Sequence, residues 1–298
     1  MPLTRANFGI GTLVKPAPFA HHAPASVEEA VALLGALAAE DGRILAGGQS
    51  LVPTMAFRLA KPAHLIDING IAALERLAVE DGGLAIGACV RHAAFHRPAV
   101  AGPLGRLLAS VVRHIAHYPI RLRGTFCGSL AHADPASEWC LVAATLGAEM
   151  TAVSTRGART IAAADFFAGI MTTDLAEDEL LTAARLPLLP DDTRFGFCEF
   201  SRRAGDYALA MTLATLRMQN GVIVEPRVGV GGAEAFARRI PQAEAALAGR
   251  PPEAAALRAA AEAAAGAIEP LEDIQADAAY RRDLVRAMTR RALAQACA

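Results

Sequence analysis

Two short glycine-bearing stretches carry most of the chemistry legible in this chain. The first is Ala46-Gly47-Gly48-Gln49-Ser50-Leu51, with Pro53 two residues further on. Binding an anion such as a diphosphate needs backbone N–H groups that point one way and close approach of the chain. Glycine permits both, having no side chain and tolerating positive φ. A helix whose first turn holds Pro53 directs its positive end at the same place, and Ser50 adds a hydroxyl donor. The same residues equally describe an ordinary tight turn capped by Ser50. The spacing is neither G-x-G-x-x-G nor a P-loop, because no lysine follows the glycines.

The second stretch runs from Arg123 through Gly124, Thr125, Phe126, Cys127, Gly128, Ser129, Leu130, Ala131, His132 and Ala133 to Asp134 and Pro135. It is another short polar glycine loop leading into a helix, and two such loops can grip the two ends of a dinucleotide. Asp134 reads either as a helix cap or as an acceptor for ribose or ribityl hydroxyls. No acid–base dyad or activated nucleophile stands out, so no catalytic residue is assigned.

The elements that position these loops follow from local signals. Ser26-Val-Glu-Glu29 is a capping-box pattern ahead of a helix, and Arg43 to Ala46 is a short strand. His64 to Ile68 is a strand, and Leu77 to Glu80 and Leu84 to Ala88 form a hairpin around Asp81-Gly82-Gly83. Residues 92 to 118 read as helical with early interruptions at Pro98 and Pro103. Asp134-Pro135 starts the next helix. Further strands cover Glu149 to Ser154, Arg159 to Ile161, Leu180 to Leu186 and Phe195 to Phe200. The character changes between Pro187 and Asp192, which places a domain boundary there. Beyond it, two long alternating runs meet at the hairpin dipeptide Asn220-Gly221. Helices are expected over about 241 to 248, 252 to 267 and 277 to 295.

The order and number of these motifs resemble the FAD-binding medium subunits of molybdenum hydroxylases, a family that includes the medium chains of carbon monoxide dehydrogenase and the flavin parts of xanthine, nicotine and caffeine dehydrogenases. The likeness rests on Lys15-Pro-Ala-Pro-Phe19, Pro24 to Ala30, the 46–55 stretch, Leu65 to Ile68, Ile86-Gly-Ala88 with Arg91-His92, and the 123–138 stretch. It continues through Arg202-Arg-Ala-Gly-Asp-Tyr-Ala208 and Tyr280-Arg-Arg with Arg290-Arg-Ala-Leu. It covers about residues 15 to 296. It implies an α+β chain: a p-cresol methylhydroxylase-type FAD-binding domain over 15–187, with two α/β subdomains at about 15–60 and 61–187. A C-terminal domain over 188–298, with a small three-stranded antiparallel sheet and helices, follows. Residues 1–14 are an extension.

The resemblance further implies a cofactor set: Ala46, Gly47, Gly48, Gln49, Ser50 and Leu51 around the FAD diphosphate; Thr125, Cys127, Gly128 and Ser129 at the diphosphate and flavin; Asp134 at the polyol; and Leu186 near an edge of the ring system. It also implies a large molybdenum-cofactor partner and a small partner with two [2Fe–2S] clusters, assembled as a dimer of heterotrimers. Electrons would then leave through this FAD to a quinone, a carrier protein or NAD. Two departures qualify the transfer. Cys127 stands where relatives commonly have the first of two glycines. Phe195 to Phe200 lacks a lysine that many relatives carry, so no flavin contact is assigned to one. A flavin-free scaffold subunit and a self-sufficient flavin oxidase are the competing readings. The latter would need a cap domain that about 110 residues after Pro187 leave little room for.

Composition sets outer limits. The 298 residues carry 29 Lys+Arg against 30 Asp+Glu, a net charge of −1, which gives no basic footprint for nucleic acid. The five cysteines, Cys89, Cys127, Cys140, Cys198 and Cys297, never form C-x-x-C, so clusters and zinc are expected on other chains, not here. His21-His22 and His114 with His117 lack further ligands at suitable spacing and read as surface histidines; no metal residue is assigned. No run of eighteen apolar residues and no secretory h-region occurs, so no membrane span is expected and a reducing cytoplasm is the expected location.

Overall fold

The computed structural model describes residues 15–298, so the extension expected over 1–14 lies outside the described residues. The capping box forms: Ser26 Oγ accepts from the Glu29 amide at 3.2 Å, and the Glu29 carboxylate accepts from the Ala25 amide at 2.8 Å. The helix Val27–Leu37 that it starts buries Ala30, Val31 and Leu34. It carries the chain from one edge strand, Ala20–His22, to the other, Gly42–Leu45. The strand His64–Asp67 lies between them, parallel to both. Because that strand bonds to both neighbours, the first sheet runs on to Asp67, past the division expected at about residue 60.

The second sheet is antiparallel, in the order Leu77–Glu80, Gly83–Gly87, Leu180–Pro187, Glu149–Ser154, Gly157–Ala162. Two hairpins thus flank one central strand. The expected long helix over 92–118 is broken into pieces: a 3₁₀ turn His92–His96, the helix Gly102–Val111 and a short helix Tyr118–Arg121. Pro98 cannot continue a helix, and Pro103 sits in the first turn of the next one, where its missing N–H costs nothing.

The third sheet follows in the order Arg194–Phe200, Ala210–Gln219, Val222–Gly231, Arg238–Arg239. The three long antiparallel strands are those expected. A fourth strand of two residues corrects the count: the chain doubles back so that Arg238 pairs with Val230 and Arg239 with Gly229. Asn220 and Gly221 both take positive φ, 50° and 79°, in the two-residue turn between Gln219 and Val222. One face of this sheet packs on the helices Pro241–Leu247, Ala254–Ala267 and Ala278–Cys297, forming a second apolar core around Ala214, Ile223, Val285 and Leu293. Met211 and Leu213 point the other way, into the core of the preceding sheets.

The helix Glu138–Leu146 belongs to the first core and packs against the third sheet. Every residue from Trp139 to Leu146 is buried, as a helix apolar on all sides requires. On one flank a side chain on Gly229 would overlap Thr145. On the other, Trp139 packs against Phe95 and Phe126 with ring centroids 5.2 and 5.0 Å away. No helix among the described residues is long and apolar enough to cross a membrane.

Candidate cofactor site

The first glycine loop leaves the strand Gly42–Leu45 and enters the helix Leu51–Ala56. Gly48 has φ +69°, a conformation that a side chain would strain. Gly47 meets the second loop: an added Cβ would lie 2.5 Å from the Arg123 carbonyl oxygen and 2.6 Å from Gly124 Cα. The Ser50 hydroxyl makes no capping bond, so the tight-turn reading, in which Ser50 caps the helix, does not hold.

The second loop is pinned from behind. The Phe126 amide donates to the Val90 carbonyl at 3.0 Å and the His92 amide to the Gly124 carbonyl at 2.9 Å. Thr125 caps the helix Phe126–His132 by accepting from the Gly128 amide at 3.0 Å. A side chain on Gly128 would sit 2.5 Å from that Thr125 hydroxyl. One polar relay ties the loops together: Asn69 Nδ2 donates to the Ala46 carbonyl at 2.8 Å, and Arg91 donates both to Asn69 Oδ1 and to the Arg123 carbonyl.

A cavity of about 650 Å³ opens between these loops, within the range of about 300–1,000 Å³ usual for small-molecule and cofactor sites. Ten of the twelve expected residues line it: Ala46, Gly47, Gly48, Gln49, Ser50, Leu51, Thr125, Gly128, Ser129 and Asp134. Cys127 and Leu186 do not. Cys127 lies in the first turn of the helix Phe126–His132 without positive φ, 2% exposed, its thiol donating to the Ile86 carbonyl at 3.4 Å. The sheet, not the cavity, faces it. A cysteine is therefore tolerated there without backbone strain. Leu186 is fully buried in the central strand of the second sheet, opposite Leu84.

Asp134 is not the helix cap. Its Oδ1 accepts from the Ala136 amide at 2.9 Å in a local turn, while Ser137 caps the helix Glu138–Leu146. Asp134 thus stays at the cavity wall. The remaining lining includes His92, Ile115, His117, Ile120, Glu138, Gly205, Asp206 and Tyr207, to which no cofactor role had been given. The pairs Arg91-His92 and Gly205 to Tyr207 were visible as motifs, but nothing local shows that they face one cavity. His92 is 4% exposed, and its Nδ1 accepts the indole N–H of Trp139 at 2.9 Å. Burial, reinforced by Arg121 and Arg91, lowers its pKa to about 3 and keeps the imidazole neutral. Among the described residues no group of three or more His, Cys, Asp or Glu is placed to hold a metal ion.

The residues present fit a dinucleotide diphosphate. Two glycine loops line the cavity with backbone that has no room for side chains at Gly47, Gly48 and Gly128, and the hydroxyl residues Ser50 and Ser129 line it beside them.

Residues 17–189 match the FAD binding domain in molybdopterin dehydrogenase, and residues 195–296 match the CO dehydrogenase flavoprotein C-terminal domain. Over 274 residues the chain is 42% identical to the nicotine 6-hydroxylase medium subunit of Paenarthrobacter nicotinovorans, covering 92% of this chain and 95% of that one. It is 36% identical over 279 residues to the carbon monoxide dehydrogenase medium chain of Hydrogenophaga pseudoflava, covering 93% and 96%. A solved structure of carbon monoxide dehydrogenase from that organism superposes with a TM-score of 0.90 at 37% identity, over 94% of this chain and 98% of that one. Quinoline 2-oxidoreductase from Pseudomonas putida 86 superposes with a TM-score of 0.89 at 37% identity, over 95% and 98%.

Proposed function

The chain belongs to the FAD-binding medium subunits of molybdenum hydroxylases and is an oxidoreductase subunit, and from that membership we propose that it holds one FAD in the cavity between its two glycine loops. The observation that carries this reading is the convergence of ten residues, from stretches about eighty positions apart in sequence, on one cavity. Gly47 to Leu51 and Thr125 to Ser129 hold the diphosphate, and Asp134 accepts from hydroxyls of the polyol. His92 presents Nε2–H to the same cavity, because its Nδ1 is occupied as an acceptor. Bound FAD supplies a centre that takes up single electrons and releases a pair.

In this reading the chain does not transform the organic substrate. Electrons come from [2Fe–2S] clusters on a small partner, which receives them from a molybdenum centre on a large one, and leave to a quinone, a carrier protein or NAD. The cysteine pattern supports this division of labour, since this chain has no C-x-x-C. The assembly is a dimer of heterotrimers located in the cytoplasm. The fold is of the p-cresol methylhydroxylase type, with the FAD-binding domain over 15–187 and the C-terminal domain over 188–298.

The test is an absorption spectrum of the assembled complex, with the acid-released cofactor identified by chromatography. One FAD for each copy of this chain is expected, and none in Gly48→Val. Normal FAD content in that variant would remove the diphosphate assignment.

A further inference from the structure

Two carboxylates, one lining the cavity and one buried near it, make no hydrogen bond to a cationic side chain. Glu138 opens the helix Glu138–Leu146 and lines the cavity. Glu199, in the strand Arg194–Phe200, lies within electrostatic reach of it. The Glu199 side chain is 6% exposed, and its Oε2 is buried without a hydrogen-bond partner. His114 Nδ1 stands 3.8 Å from that oxygen, beyond hydrogen-bonding distance, and burial lowers the pKa of His114, which favours the neutral ring. Arg121 also reaches Glu138 and partly offsets its penalty, but its Nε and Nη1 donate to His96 and to the Ile115 and Ala116 carbonyls, and no hydrogen bond joins it to Glu138. The remaining groups facing Glu138 are Asp134, Tyr207 and the buried thiol of Cys140, none of them cationic.

An unpaired carboxylate out of water is costly, and two together are costlier; taking up a proton relieves both penalties. We propose that Glu138 and Glu199 hold one proton between them at neutral pH, so that Glu138 presents a carboxylic O–H, not a carboxylate, to the cofactor in the cavity. Burial, followed by the charge of Glu199, pushes Glu138 up to about 8, although its side chain is only half-buried, and burial pushes Glu199 up to about 7.

The consequence rests on the FAD reading given above. A neutral acid donates a hydrogen bond, and that bond strengthens as electrons and negative charge accumulate on its acceptor. With both carboxylates ionised, their charge repels it instead. The pair therefore favours the reduced cofactor while it holds its proton and disfavours it once both groups ionise.

The experiment uses the assembled, FAD-loaded complex. The flavin midpoint potential is measured by spectroelectrochemistry from neutral to mildly alkaline pH for wild type, Glu138→Gln and Glu199→Gln. Wild type should show an extra fall in potential as the pair ionises. Glu138→Gln, permanently neutral and still a donor, should lose that fall. Glu199→Gln should move it to lower pH, because Glu138 then has one fewer like charge beside it. In parallel, infrared spectra at neutral pH should show a protonated-carboxyl carbonyl band in wild type that the double variant E138Q/E199Q lacks. Superimposable potential–pH curves in all three proteins, or an infrared spectrum without that band, would overturn the proposal. Absence of FAD from the wild-type complex would instead overturn the cofactor reading, and the infrared band, which needs no flavin, would still decide the carboxyl pair.

Discussion

Trp139 donates its indole N–H to Nδ1 of His92 across 2.9 Å, and this one bond decides which imidazole nitrogen carries the proton on the cavity side. The indole is fully buried among Phe95 and Phe126, so its position is set by the same packing that seats the second glycine loop. Core packing and site chemistry are therefore coupled through a single side chain. Trp139→Phe should keep most of the apolar contact but leave the Nδ1 acceptor of His92 buried and unpaired. An unsatisfied buried polar group costs about 1–3 kcal/mol, besides the volume lost with the smaller ring. Thermal unfolding should report that loss. FAD titration of the refolded complex should show weaker binding than in wild type, because the imidazole is then free to switch tautomer.

Gly47 and Asp134 should fail in different ways. In Gly47→Ala the new methyl would lie 2.5 Å from the Arg123 carbonyl oxygen, so the two loops must part. FAD should be lost from the complex while the C-terminal helices stay folded. Asp134→Ala removes an acceptor and the local turn to the Ala136 amide without forcing backbone apart. Its binding loss should be about 1–2 kcal/mol, or roughly 5- to 30-fold in Kd. Equilibrium titration with FAD checks both, and equal losses would contradict the distinction between loop geometry and a hydrogen bond.

Cys127 should be chemically silent despite its place in the second loop. Burial raises its pKa strongly, with the neighbouring Cys89 adding to the effect, and its thiol donates inward to Ile86. Reactive cysteines need an accessible thiolate, and this one has neither access nor charge. Alkylation of the native complex at mildly alkaline pH should spare Cys127 and leave FAD content unchanged. Cys127→Ala should retain FAD, with a stability loss of about 1 kcal/mol from the small void and the lost weak bond.

What the sequence displayed and what it hid divide along physical lines. Asn220-Gly221 announced its turn because two consecutive positive φ values restrict the residue types to a few. Gly48 was legible for a related reason. Asp134 reads equally as a helix cap or a cofactor acceptor, and the cap, Ser137, lies three residues on, because a local turn at Pro135 intervenes. Family position alone places Leu186 near the cofactor, and the alternation of its strand turns it into the core. The relay from Ala46 through Asn69 and Arg91 to Arg123 joins four distant stretches, so no local pattern could show it. The same holds for Glu138 and Glu199, which come within electrostatic reach only when the third sheet packs on the helix Glu138–Leu146.

Glu138 and Glu199 also fix the sign of a pH effect on stability. Both have folded pKa values raised above the ordinary carboxylate value, to about 8 and about 7. In the unfolded chain each would release its proton at the ordinary value, so above that pH the folded state binds more protons than the unfolded one. Stability then falls as pH rises through that interval, and the fall ends above the folded pKa of Glu138. Carboxylates with lowered pKa, such as Asp67 and Asp178, have already made their contribution below this window and do not alter the comparison. Glu199→Gln removes one raised group and lowers the other, so its stability should decline less across the window. Unfolding midpoints for wild type and Glu199→Gln, measured at about pH 5 and about pH 9, should diverge in favour of the variant at the higher pH. A constant difference between the two proteins at both values would mean that neither carboxyl is protonated in the folded chain.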